Sequence, residues 1–190
     1  MRILFKFAVL VGVIACQVAD GGDAAAPALY GLGTAASASE VAAWNTDASP
    51  SGAGLPSGRG DAATGATLYA AQCASCHGAN GEGVPPLPPL VGREPREGFG
   101  FGSDPKLVRT IGNYWPEATT LFDYIKRTMP LTAPGSLSDN DVYSLTAHLL
   151  VANEILPAGA SLDSASLMAI RMPGRDKFVP DNRRGGREVK

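Results

Sequence analysis

Apolar positions along the 190-residue chain fall into a few helical stretches separated by long runs without periodicity. The clearest stretch carries Val142, Leu145, Leu149 and Leu150, spaced to line one face of a helix. Ser138 followed three residues later by Asp141 gives it a start resembling a capping box. A second helix is expected to begin around Pro116, where proline is tolerated at the first helical position. It carries Leu121, Phe122 and Ile125 and ends by Met129-Pro130. A third runs from about Thr64 to Cys76, with Leu68 and Tyr69 on its buried side and Gly65 admitting close approach by another helix. Shorter helices are expected at 105–111 and 164–170.

The stretches between are punctuated by turn formers. From Gly78 to Gly92 the prolines 85, 86, 88 and 89 exclude regular structure. Residues 20–61 are mostly Ala, Gly, Ser and Pro, with Tyr30, Leu32, Val41, Trp44 and Leu55 as apolar exceptions. Glu40 to Trp44 suits a turn or two of helix, and Pro50 to Gly60 reads as loop. The spaced aromatics argue for a strap across the folded domain; the bland alternative is a disordered linker. At the start, Arg2 and Lys6 precede an apolar run from Phe7 to Ala15 that is too short to span a bilayer, which is the form of an export signal. Val13-Ile14-Ala15-Cys16 resembles a lipobox, which would lipidate Cys16 and tether the chain to a membrane. The rival is ordinary cleavage near Ala24-Ala25-Ala26. The chain thus divides into 1–26 (signal), 27–60 (strap), 61–156 (domain) and 157–190 (extension).

Composition narrows the class. Glycine (23) and proline (15) make up a fifth of the chain, so the expected fold is all-α, a small helical core wrapped in loop. A net charge of −2 gives no reason to expect a nucleic-acid partner. The charge is uneven, however: Arg171, Arg175, Lys177, Arg183, Arg184, Arg187 and Lys190 concentrate in the last twenty residues as a basic tail.

The sharpest chemical signal is Cys73-Ala74-Ser75-Cys76-His77, the attachment pattern of a c-type haem. Cysteines three apart lie on one face of a helical turn, so both sulfurs reach one haem edge while the next residue offers its imidazole to the iron. Half of a zinc site, or a thioredoxin-like pair, is the bland alternative. Zinc needs two more ligands, and only Cys16 and His148 remain. One covalent haem c is therefore the expected cofactor, with His77 as one axial ligand. Attachment of this kind takes place outside the bacterial cytoplasm, so a periplasmic location is expected. A backbone carbonyl from the proline loop, with Pro89 the candidate and Pro85 or Pro86 the alternatives, is expected to fix the free nitrogen of His77. Leu90 is expected to pack on the haem.

For the second axial position the choices are Met129, Met168, Met172 and His148. Met129 sits between two helices, just before a proline, where a thioether can swing over a haem face. A methionine otherwise serves as core filler, and a lone helical histidine is more often packed than ligating. Met/His ligation raises the iron's potential and closes the site, which suits electron transfer.

With Cys73 to His77, Met129 and the capped last helix in place, residues 61–156 resemble class I c-type cytochromes. Further stretches resemble the cytochrome subunits of bacterial sulfite and sulfane dehydrogenases, including that of the Sox sulfur-oxidation system. They are Tyr30-Gly31-Leu32-Gly33, Ala42-Ala43-Trp44, Gly54-Leu55-Pro56, Ile111 to Pro116, Leu121 to Ile125, Pro134 to Leu137, and Met172 to Phe178. The resemblance implies the class I cytochrome c fold with long, mostly irregular N- and C-terminal extensions. It implies a non-enzymatic electron-transfer subunit whose partner is a molybdopterin sulfite or sulfane dehydrogenase, with a downstream cytochrome c or oxidase as acceptor. Tyr114 and Trp115 are candidates to line the haem, the Trp115 indole N–H reaching a propionate; the alternative is ordinary core aromatics. Some family members carry a second haem domain, which this chain lacks. The rival readings are a carrier between a respiratory complex and a terminal oxidase with no sulfur link, and a haem enzyme or gas sensor.

Overall fold

The computed structural model describes residues 33–179. Its elements are α1 (Ala38–Trp44), β1 (Arg59–Asp61), α2 (Ala62–Gln72), α3 (Ala74–His77), α4 (Ala118–Thr128), α5 (Asp139–Ala152), β2 (Ser161–Asp163) and α6 (Ser164–Met168). Two 3-10 turns lie at Gly100–Gly102 and Arg175–Lys177.

Helix α5 is the axis of the core. Ser138 caps it: its hydroxyl accepts from Asp141 N–H (3.2 Å), and the Asp141 carboxylate accepts in return from Ser138 N–H (3.2 Å). Val142, Tyr143, Leu145, Leu149 and Leu150 are buried along it. Helix α4 buries Leu121, Phe122 and Ile125 against this face, with the rings of Phe122 and Tyr143 4.5 Å apart. Helix α2 starts where the Asp61 carboxylate accepts from Ala63 N–H and Thr64 N–H, satisfying donors a helix start leaves open. It crosses α5 at Gly65, where a Cβ would sit 1.9 Å from the Ser144 carbonyl oxygen. Only glycine permits that approach.

A two-stranded antiparallel ribbon, not expected from the sequence, ties the two ends of the domain together. β1 pairs with β2 in the register Arg59 with Asp163, Gly60 with Leu162 and Asp61 with Ser161. The segment after α5 therefore belongs to the core rather than to an outer decoration: Leu162, Leu167, Ile170 and Met172 are all buried. Helix α6 opens on Asp163, whose carboxylate accepts from Ser166 N–H, and it ends at Met168, two residues short of the expectation.

The strap behaves differently along its length. Helix α1 is exposed throughout, and Trp44, expected as an anchor, is 88% exposed. The packing begins at Ala48, which is buried and donates its N–H to Asp123 Oδ1 (2.8 Å). Thr119 Oγ1 then donates to the Pro50 carbonyl (3.1 Å) and Tyr143 Oη to the Pro56 carbonyl (2.8 Å). The helix expected at 105–111 is absent; this segment is turn and loop. Side chains take its backbone groups instead. Asp104 Oδ1 accepts from Lys106 N–H, while Asn113 accepts from Thr110 N–H and donates to the Val108 carbonyl. Export signal, Cys16, Tyr30, Leu32 and the arginines at 183, 184 and 187 lie outside the described residues.

Candidate haem site

Cys73, Cys76 and His77 occupy one tight helical turn. The Cys73 carbonyl accepts from both Cys76 N–H (3.1 Å) and His77 N–H (2.9 Å). Gly78 ends the turn at φ +80°, a left-handed conformation suited to glycine. Tyr69 Oη donates to the Gly78 carbonyl (2.9 Å), holding this corner to α2. Burial, helped by the nearby Cys73 and Glu82 groups, pushes the Tyr69 phenol up to about 12, so it stays a donor at any ordinary pH.

The turn forms one wall of a cleft of about 230 Å³ that is open to solvent on one side. Leu87 and Leu90 from the proline loop, Ile125 from α4, Leu137, and Leu145 and Leu149 from α5 complete a mostly apolar lining. Met129 joins it from the end of α4. The helix stops there because Pro130 follows, which holds Met129 in extended geometry (φ −116°, ψ 147°).

Of the four candidate second ligands, Met129 alone lines this cleft. Met172 is a core residue, 2% exposed. Met168 is half-exposed beside Gly52, and His148 packs its ring on Tyr69 at 5.1 Å. Burial lowers the pKa of both His77 and His148, which favours the neutral imidazole a metal requires. Burial, with the neighbouring Cys76, raises that of the Cys73 thiol.

Two expectations need correction. His77 Nδ1 is buried with no hydrogen-bond partner among the described residues, so neither Pro89 nor Pro85 or Pro86 receives its proton here. The loop is closed by backbone bonds instead, Gly83 N–H to the His77 carbonyl (2.8 Å) and Leu90 N–H to the Gly81 carbonyl (2.8 Å). Tyr114 and Trp115 are not part of the cleft lining. Tyr114 is taken up in an aromatic cluster, stacked on Phe99 (5.5 Å), edge-on to Phe101 and Phe178, with the Arg109 guanidinium 4.9 Å over its ring. Trp115 packs against the core and meets Tyr124 edge-on at 5.8 Å.

Sequence reasoning missed Asn153. Fully buried at the end of α5, it accepts from Gly92 N–H (3.0 Å) and donates to the Leu90 (3.3 Å) and Leu149 (2.8 Å) carbonyls. It thereby fixes the loop segment that carries Leu90 into the cleft wall. No motif marks it; its loop partners Gly92 and Leu90 lie some sixty residues away.

This donor set fits a haem and not a bare ion. Two thiols and an imidazole share one turn of an apolar cleft that also holds a thioether and an orphaned imidazole nitrogen. No group of three or more His, Cys, Asp or Glu able to hold a metal occurs among the described residues.

Comparisons with known proteins agree. Residues 60–149 match the family described as cytochrome c oxidase, cbb3-type, subunit III. The chain is 34% identical over 99 residues to a thiosulfate dehydrogenase of Stutzerimonas stutzeri (strain A1501), a match covering 50% of this chain and 28% of that one. It thus spans less than a third of that relative. The solved structure of the sulfane dehydrogenase SoxCD from Paracoccus pantotrophus matches with 39% identity and a TM-score of 0.70, over 80% of this chain and 72% of that chain. Domain, cleft and likeness together place one covalently attached haem c in this fold: the chain belongs to the class I c-type cytochromes of the Sox type.

Proposed function

We propose that Cys73 and Cys76 bind the haem covalently, that His77 and Met129 are its axial ligands, and that the exported chain accepts electrons from a molybdopterin sulfane or sulfite dehydrogenase subunit. The observation that carries this reading is the convergence of Cys73, Cys76, His77 and Met129 on one apolar cleft. Haem c supplies a one-electron Fe(III)/Fe(II) couple. The residues of this chain tune and protect that couple. A thioether favours the reduced iron and so raises the potential. Leu87, Leu90, Ile125, Leu145 and Leu149, which line the cleft, would shield a haem held there from water. Cys76 lines the cleft and is exposed, so a haem bound there would be reachable from solvent on that side.

The sulfur chemistry belongs to the partner, and a downstream cytochrome c or oxidase takes the electron on. SoxCD is named a sulfane dehydrogenase, and the extent of the match supports an equivalent partner for this chain. The signal reading of residues 1–26 supports a periplasmic location, with lipidation at Cys16 and ordinary cleavage near Ala24-Ala25-Ala26 as the alternatives for its end; no helix among the described residues is long and apolar enough to cross a membrane. Purification of the native protein under mild conditions, followed by metal analysis, tests the partnership. The reading requires molybdenum to co-elute in near-stoichiometric amount with the haem.

A second reading rests on the family match to an oxidase subunit: delivery of electrons to a terminal oxidase with no sulfur link. Co-elution of copper-containing oxidase, with no molybdenum, would favour it.

A further inference from the structure

Away from the haem cleft, three cations meet at a second, smaller one lined in part by Arg93, Arg96, Asn113 and Lys177. Arg93 and Arg96 follow closely on the Leu90 wall segment. Lys177 arrives from the far end of the described chain, in the turn Arg175–Lys177. Arg96 pairs with Glu94 (3.1 Å) and Glu154 (2.9 Å). Arg93 and Lys177 have no side-chain hydrogen bond or ion pair among the described residues, and Arg93 Nε is buried without a partner. Glu154 is near enough to Arg93 to feel its charge, yet it spends its carboxylate on Arg96.

Asn113 does not answer the need. Its Oδ1 already accepts from Thr110 N–H, and its Nδ2 donates to the Glu94 and Val108 carbonyls. Gly112 keeps the arginine in place, since a Cβ there would lie 2.9 Å from Arg93 Cδ. Arg96 takes up both Glu94 and Glu154, so among the described residues Arg93 and Lys177 are left without a carboxylate partner. A guanidinium nitrogen removed from water and left unpaired lacks an acceptor, and its planar fork matches the oxygens of an oxyanion.

We infer that this cleft is a receptor for one small tetrahedral oxyanion of the sulfate or phosphate class, held by the Arg93 fork with Lys177 beside it. The cleft is shallow and open to solvent, so such an ion would sit at its mouth with its outer oxygens in water, and there is no room for a second cofactor.

Calorimetric titration of the haem-loaded, full-length protein tests this, with sodium sulfate and inorganic phosphate as separate probes in a chloride background of matched ionic strength. Saturable one-site binding is expected for one or both. Arg93→Gln should weaken it at least tenfold, and Arg93→Lys and Lys177→Gln by less, while the visible spectrum and midpoint potential stay as in the parent. The Lys177→Gln and Arg93→Lys proteins keep the test intact should Arg93→Gln fold poorly. Absence of saturable binding above chloride overturns the inference, as does equal affinity in all variants. A fall in midpoint potential in Arg93→Gln with sulfate affinity unchanged would assign the arginine to a haem carboxylate instead, and overturn it too.

Discussion

Replacing Gly65 by alanine asks for one methyl group where α2 and α5 touch. On an exposed helix the change would stabilise by about 0.5–1 kcal/mol, because glycine loses more chain entropy on folding. Here the new Cβ would lie 1.9 Å from the Ser144 carbonyl oxygen and 2.8 Å from His148 Cβ, whereas real Cβ atoms essentially never come within 3.0 Å of a neighbour. The first obstacle is backbone in the middle of α5, so it cannot rotate away, and the helices must separate by about 1 Å. Overpacking of this kind typically costs about 1–3 kcal/mol, more where backbone must move. The net loss should be about 2 kcal/mol, or roughly 4–8 °C in Tm for a chain of this size. Separation of α2 from α5 also shifts the Tyr69 and Leu145 walls of the haem cleft, so the Met–Fe(III) absorption band should weaken before the protein unfolds. Thermal unfolding of the haem-loaded protein, followed by circular dichroism and by visible absorption, measures both effects. Gly102→Ala, where nothing lies within 4 Å of the added carbon, is the control. A Gly65→Ala protein as stable as the Gly102→Ala protein would refute the close approach as a requirement of the fold.

Met129→Ala should abolish the Met–Fe(III) band and lower the midpoint potential. Met172→Ala should keep the band but destabilise by about 2–5 kcal/mol, the usual cost of emptying a buried methionine site; the reverse pattern, read by visible spectroscopy and denaturant titration, would exchange their roles. Burial holds the His148 pKa below its unfolded value of about 6.5, so its contribution is complete above that pH and is lost as pH falls toward the lower folded value. His148→Gln should flatten this acid-side loss in urea titrations of the haem-loaded protein, and an unchanged slope would contradict it. Asn153→Ala leaves the part-buried Gly92 N–H without its partner, at about 1–3 kcal/mol, and removes one of the two donors to the Leu90 carbonyl, which keeps Ile111 N–H. It should also alter the midpoint potential as Leu90 loosens, which a purely structural loss at a distance from the haem would not do.

The parts of the fold legible in the sequence are those whose signals are local. Helix α5 carries its cap and its apolar face within fourteen residues, and α4 is bounded by Pro116 and Pro130. The Cys73 to His77 turn needs no distant partner to be recognised, and the glycine at 65 already pointed to a close helix crossing. What stayed hidden depends on long-range pairing. Strands of three residues, Arg59–Asp61 and Ser161–Asp163, offer no alternation to read, so their joining of the chain ends was invisible. Trp44 looked like an anchor because an indole is usually worth burying, yet the neighbouring Ala48 makes the contact through its backbone N–H. Tyr114 looked like a haem neighbour, but Phe99 and Phe178, brought in from either side, claim its ring. Asn113 replaces a short helix by accepting from Thr110 N–H and donating to the Val108 carbonyl with its side-chain amide, an outcome that helix propensity does not anticipate.

The account's central claim is that this chain takes single electrons from a sulfur-oxidising molybdenum enzyme through the haem held at Cys73, Cys76 and His77. Stopped-flow mixing of the oxidised haem-loaded protein with the molybdopterin dehydrogenase subunit from the same organism, supplied with its sulfur substrate, measures this directly. One electron per chain should arrive at a rate that rises with dehydrogenase concentration and falls with salt, as expected if the basic residues between 171 and 190 steer the encounter. A protein that a small chemical reductant reduces fully, but that stays oxidised in front of the turning-over dehydrogenase, would contradict the claim.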